Sequence, residues 1–137
     1  MGVGALIFSD REERLEILLV ERGKEPLKGL WSLPGGILEV GEKLVDGIRR
    51  EVLEETGLTV DPVSMFEIFE RIMPDADGRT EYHYVLIDYI CCVTGGELAA
   101  ASDVSAAAWV SREELSGYRI TEGTLEVVTR AFASLNK

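Results

Sequence analysis

The sequence predicts a mixed α/β domain, on three observations. Several segments carry the apolar runs or alternation of strands. Lys43–Thr56 carries the three-to-four-residue apolar spacing of a helix. Thr121 or Thr124 opens a second helix that reaches about Leu135. A length of 137 residues suits one compact domain, so 1–137 is read as a single unit.

Val3–Ser9 reads as a first strand, Asp10–Arg14 as a polar turn, and Leu15–Arg22 as a second, largely buried strand. The stretch from Gly23 to Gly36, with Pro26, Gly29 and Trp31-Ser32-Leu33-Pro34-Gly35-Gly36, reads as a loop. In the helix that follows, Leu44, Val45, Ile48, Val52 and Leu53 form one stripe, and Gly57 stands where a left-handed cap belongs. Val63–Met73 and Glu81–Thr94 read as strands joined by a turn at Pro74-Asp75-Ala76-Asp77-Gly78. Ala106–Val110 is a short strand. Ser111 and Glu114 have the spacing of a capping box for a turn of helix over Arg112–Leu115.

Composition excludes several classes of function. Apolar residues make up 46% of the chain, enough for a core without disulfide support. Cys91 and Cys92 are adjacent, so on a strand they point to opposite faces and share neither a bond nor a metal; small core residues are the simpler reading. The apolar N-terminus, Met1–Phe8, is too short for a signal peptide, and the chain reads as cytoplasmic, with no membrane partner. Fourteen basic against 25 acidic residues give a net charge of −11, which argues against nucleic acid as a partner. A phosphate-bearing substrate would need divalent cations to approach such a chain.

Gly36–Leu58 supplies a place for them. Glu51, Glu54 and Glu55 stand at i, i+3 and i+4, an arc of about 100° at 3.6 residues per turn. Like charges so placed repel by a few tenths of a kcal/mol per pair, and a hard dication relieves that repulsion. A solvated acidic face is the bland reading. Its surroundings favour the sharper one. Gly35-Gly36 lets backbone approach a ligand, Glu42 adds a fourth carboxylate at the loop–helix junction, and Arg50 can orient its acidic neighbours.

The spacing Gly36, five residues, Glu42, seven residues, Arg50-Glu51-Val52, one residue, Glu54-Glu55, one residue, Gly57-Leu58 resembles the Nudix box at every defining position. The lead-in Leu33-Pro34-Gly35-Gly36, the Trp109-Val110 strand and the C-terminal helix extend that resemblance along the chain. It implies an α/β/α sandwich around a mixed sheet, and an enzyme that hydrolyses phosphoric anhydride bonds with Mg²⁺ or Mn²⁺. Carried over, Glu51, Glu54 and Glu55 are metal ligands, Glu42 and the Gly36 carbonyl are further contacts, and Arg50 orients them. Glu51, Glu54 and Arg50 form the catalytic set. The general base in the family is either a box glutamate, matching Glu51, or a distal acid, for which Glu97, Asp103, Glu113, Glu114 and Glu122 are candidates.

Pro74, sixteen residues after Leu58, resembles the ADP-ribose pyrophosphatase subgroup, although the same segment is an ordinary turn. ADP-ribose or a related nucleotide sugar is therefore the expected substrate, with release of a nucleoside monophosphate. Trp31, Tyr82 and Tyr84 can stack on a base, and Arg22, Lys24 and Lys28 can meet phosphate. The lone His83 has no metal-spaced partner and reads as structural. Two other functions fit the motif: a (d)NTP pyrophosphohydrolase that cleanses the nucleotide pool, and a noncatalytic nucleotide-sensing module. An edge strand or the N-terminal strand could support a homodimer.

Overall fold

A computed structural model describes residues 1–11, 13–25 and 27–135, apart from the side chains of Glu81 and Tyr82. Its elements are β1 (Gly2–Arg11), β2 (Arg14–Arg22), β3 (Trp31–Ser32), β4 (Gly35–Ile37), α1 (Leu44–Thr56), β5 (Leu58–Pro74), β6 (Thr80–Gly96), β7 (Val104–Ser111), a 3₁₀ turn (Arg112–Gly117) and α2 (Thr124–Leu135). The strands form one mixed sheet in the order β3-β2-β1-β6-β5, with β4 on β1 and β7 on β2. β1 and β6 run parallel, and the other pairs are antiparallel.

The alternation of β1 splits the core into two layers. Val3, Ala5 and Ile7 face α1, where they meet Ile48 and Val52 with Leu18, Leu58, Val60 and Cys91. Leu6 faces α2, against Val127, Val128, Ala131 and Phe132 with Ile17, Leu19 and Val110. Each buried Val, Leu, Ile or Phe among them contributes about 1.5–3 kcal/mol. Helices cover both faces, so the α/β/α sandwich around a mixed sheet is the fold observed.

Several boundaries differ from the sequence reading. β1 extends to Arg11 and β2 starts at Arg14, so both strands run into the stretch read as a polar turn. Charged residues at the tip of a hairpin can pair through their backbones while their side chains stay in water. β3 and β4 interrupt the expected loop between Gly23 and Gly36. Such short pairings carry no periodicity, because their partners β2 and β1 lie elsewhere in the chain. β5 starts at Leu58, directly after the helix closes on Gly57 at φ 76°.

Pro74 ends β5, and the Asp75 carboxylate accepts the N–H groups of Asp77 and Arg79 in the turn beyond it. Glu114 accepts the Ser111 N–H at the start of the 3₁₀ turn. Of the two cysteines only Cys91 is buried, and burial pushes its thiol up to about 12; Cys92 is exposed on the opposite face. Among the described residues no helix is long and apolar enough to cross a membrane.

Candidate active site

Hydrophobic burial of one side of α1 decides what the other side presents. With Ile48 and Val52 sealed against the sheet, Glu51 lies against Gly36, Glu55 is buried beside Gly35 and Glu54 stays half exposed. Arg50 ties them together. Its guanidinium donates to both Glu42 oxygens at 2.7 and 2.9 Å, to Glu51 Oε1 at 2.9 Å, to Glu54 Oε1 at 3.4 Å and to the Ile37 carbonyl at 3.2 Å. It also lies 2.9 Å from Glu39.

This partition sets each group's proton affinity. Donation from Arg50, helped by the Glu39 N–H, holds Glu42 down at about 2. Glu51 is raised, chiefly by burial, with Arg50 opposing and Glu54 and Glu42 adding. Burial first, and then Glu51, push Glu55 up to about 7, even though its Oε1 accepts the Gly35 N–H at 2.9 Å.

Among the described residues no three acid, His or Cys groups converge closely enough to hold an ion as they stand, because Arg50 engages Glu42, Glu51 and Glu54. The donor set nevertheless suits a hard dication. Carboxylate oxygens are the ligands Mg²⁺ and Mn²⁺ prefer. At Gly36 a Cβ would stand 2.6 Å from the Glu51 carboxylate, so the missing side chain forms a cradle in which carboxylate and backbone meet. Glu55, whose ionised form burial disfavours, gains most from a neighbouring positive charge.

A cleft of about 350 Å³ opens beside this wall, bordered by Glu51, Glu55, Gly35, Gly36, Arg22, Arg71, Tyr84 and Asp103. An inner compartment of about 110 Å³ continues from it between the sheet and the start of α2. Arg22 and Arg71 border both and bring positive charge to an acidic chain.

The other expected contacts divide sharply. Arg22, Tyr84 and Asp103 are in the cleft, although Asp103 is engaged by Lys24 at 2.9 Å. Trp31 does not border it; its ring packs edge-on against Tyr118, centroids 5.0 Å apart, in the α2-side core. Pro74 is exposed at the hairpin tip, and Glu97 is exposed beyond β6, its carbonyl packed over Gly57. Lys28 is exposed, and His83 pairs with Glu70 at 3.1 Å on the hairpin surface. The Tyr82 side chain lies outside the described residues.

Sequence reasoning missed Arg71 and Asp88. Arg71 donates to Thr121 Oγ1 and the Glu122 carbonyl, and lies 5.6 Å from the Phe69 ring centroid. Asp88 borders the inner compartment. The signal that could have found it was one acid inside the apolar run Val85-Leu86-Ile87-Asp88-Tyr89-Ile90.

A family model described as the NUDIX domain matches residues 1–131. The ADP-ribose pyrophosphatase of Methanocaldococcus jannaschii is 40% identical over 96 residues, 70% of this chain and 54% of that protein. The 8-oxo-dGDP phosphatase of Mus musculus is 33% identical over 107 residues, 75% of this chain and 30% of that protein. The chain thus spans about half the length of the first relative and less than a third of the second. The NUDIX domain of Shewanella oneidensis NrtR, solved with ADP ribose, superposes with a TM-score of 0.77 at 23% identity, over 98% of this chain and 87% of that one, a likeness of fold.

Proposed function

The chain belongs to the Nudix family, and on that premise we propose that it is a divalent-metal-dependent hydrolase of nucleoside diphosphate derivatives, with ADP-ribose the preferred substrate. The observation that carries this reading is the single cleft in which Glu51 and Glu55, the Gly35-Gly36 backbone and two arginines meet.

The reaction is attack of water on one phosphorus of the diphosphate, with a nucleoside monophosphate as one product. Glu51, Glu54, Glu55 and the Gly36 carbonyl would hold the cation, with Glu42 in support. Bound there, it would neutralise phosphate charge and make water more acidic. Arg50 holds Glu42, Glu51 and Glu54 in register, which fixes the side chains before substrate arrives. Arg22 and Arg71 receive phosphate oxygens from the opposite side of the cleft. Glu51, cradled by Gly36, takes the proton from the attacking water.

A metal titration with ADP-ribose, read by product identification, tests this. Wild type should release AMP and ribose 5-phosphate only with Mg²⁺ or Mn²⁺ present. Glu54→Gln, at a side chain 48% exposed and so harmless to folding, should lower kcat about 10²–10⁴-fold, the range of a lost acid–base or ligand group. Turnover that persists in chelator, or that survives Glu54→Gln, would falsify the reading. The relationship to an 8-oxo-dGDP phosphatase supports a second substrate reading, an oxidised guanine nucleotide. Running 8-oxo-dGDP and dGTP beside ADP-ribose ranks the two by kcat/KM.

A further inference from the structure

Among the described residues three carboxylates are more than nine-tenths buried: Glu16, Glu55 and Asp88. Two have donors. Glu16 is met by Arg11 and Arg14 at 3.3 and 3.0 Å, and Glu55 by the Gly35 N–H. Asp88, only 5% exposed, accepts no hydrogen bond and forms no ion pair among the described residues. Arg71 lowers its proton affinity from a distance but directs its own donors to Thr121 and Glu122. Glu67, its partner in the β5–β6 register, is held by Arg130. A buried charge without a donor is among the costlier things a fold can contain.

The chain has also made room for this carboxylate. The parallel β1–β6 register sets Gly4 beside Asp88, and the β1–β4 register sets Gly4 beside Gly35. A Cβ on Gly4 would stand 2.3 Å from Asp88 Oδ1. Glycine in a strand interior costs roughly 0.5–1 kcal/mol, so two unfavourable features coincide at one point. That point borders the inner compartment, one strand away from the Gly35-Gly36 backbone of the box.

The compartment has a mixed lining: Val3, Leu33, Phe69, Leu86 and Val127 supply apolar surface, and Arg22, Arg71, Ser32 and Thr124 supply polar groups. The apolar surface suits the face of a flat aromatic ring, the usual arrangement in which a few placed polar groups fix a ligand's orientation. An isolated acceptor at the floor then reads one feature of that ring, a hydrogen-bond donor on its edge.

We propose that Asp88 is a specificity-determining residue whose carboxylate accepts a hydrogen bond from the exocyclic amine of the substrate's nucleobase, seated in the inner compartment. The assignment rests on the hydrolase reading above. The amine supplies a donor that the described residues do not, and a base without one leaves a nearly buried carboxylate without it. Sites built to pair with a polar group reject analogues that lack it far more strongly than apolar pockets reject a missing methylene.

The experiment compares ADP-ribose with its analogue carrying unsubstituted purine, in wild type, Asp88→Asn and Asp88→Leu. Wild type should prefer the amine-bearing base by at least tenfold in kcat/KM. Asp88→Leu should lose most of that preference, with KM moving more than kcat, and Asp88→Asn, whose Oδ1 still accepts, should keep part of it. Thermal melting at pH 7.5 separates this role from a structural one, because relieving an unpaired charge leaves Asp88→Asn at least as stable as wild type. A preference unchanged in Asp88→Leu overturns the assignment, as does a large fall in the melting temperature of Asp88→Asn. A wild-type preference that follows the ribose 2′-hydroxyl instead of the amine overturns it as well. Failure of wild type to cut either compound would overturn the hydrolase reading and this one with it, whereas turnover of both without discrimination removes only the role of Asp88.

Discussion

The cleft and the inner compartment that continues from it handle negative charge in opposite ways. On the α1 side, Glu42, Glu51 and Glu54 share one internal counter-ion, Arg50, and Glu55 leans on a backbone N–H. In the inner compartment, Asp88 is more buried than any of them and has no donor among the described residues. The first arrangement is organised by the chain before any ligand arrives. The second is completed only from outside. Repulsion that a chain neutralises internally builds a rigid platform, and repulsion that it leaves standing marks where a ligand is expected to contribute.

The largest effect should come from breaking the platform. Gly36→Ala puts a methyl group 2.6 Å from the Glu51 carboxylate, so either the carboxylate or β4 must move. A displacement near 1 Å at a reacting centre costs about 10²-fold, and kcat for metal-dependent hydrolysis should fall by at least that much while the melting temperature changes little. Unaltered turnover would show that Glu51 need not occupy this cradle.

The floor should respond in stability instead. Asp88 has its folded proton affinity raised from 3.8 to about 6, by burial first and by Glu67 second. Between those values the folded state keeps a proton that the unfolded state has released. The contribution of Asp88 is therefore most favourable below about pH 4 and is lost as pH rises through 6. At roughly 1.4 kcal/mol per pH unit, the charge costs up to about 3 kcal/mol near neutrality. Asp88→Asn should be more stable than wild type at pH 7.5, by about 1–3 kcal/mol, with the difference shrinking toward pH 4. Denaturant melts at the two pH values measure it directly, and a gain that grows on acidification would contradict the account.

The smallest effect belongs to a pair outside both regions. His83 and Glu70 meet at 3.1 Å on the hairpin surface, with side chains 49% and 62% exposed. Exposed pairs contribute about 0–1 kcal/mol, so Glu70→Gln should shift stability by less than about 0.5 kcal/mol and leave kcat unchanged. A larger loss would mean that the hairpin is coupled to the cleft.

Legibility followed the same division. The box carboxylates were readable because their relation is local: residues three and four apart on a helix share a face wherever that helix packs. Arg22, Tyr84 and Asp103 were readable as candidates and do border the cleft. Trp31 was misplaced because its aromatic character is equally suited to stacking and to packing, and only the approach of Tyr118 selects packing. Pro74 and Glu97 sit at the right chain distance from the box but on surfaces away from the cleft.

By itself the sequence determined the amphipathic helix over Lys43–Thr56, its closure at Gly57, the strand-rich remainder and the acidic face that Arg50 organises. These depend on interactions within a few residues, and such interactions survive any tertiary arrangement. The tertiary structure alone decided that β1 and β6 pair in parallel and that Gly4 meets Asp88 across that register. It also decided that Arg71 reaches Thr121 fifty residues away. Contacts of that span are selected by the packing of two helices on opposite faces of one sheet, and no local pattern encodes them.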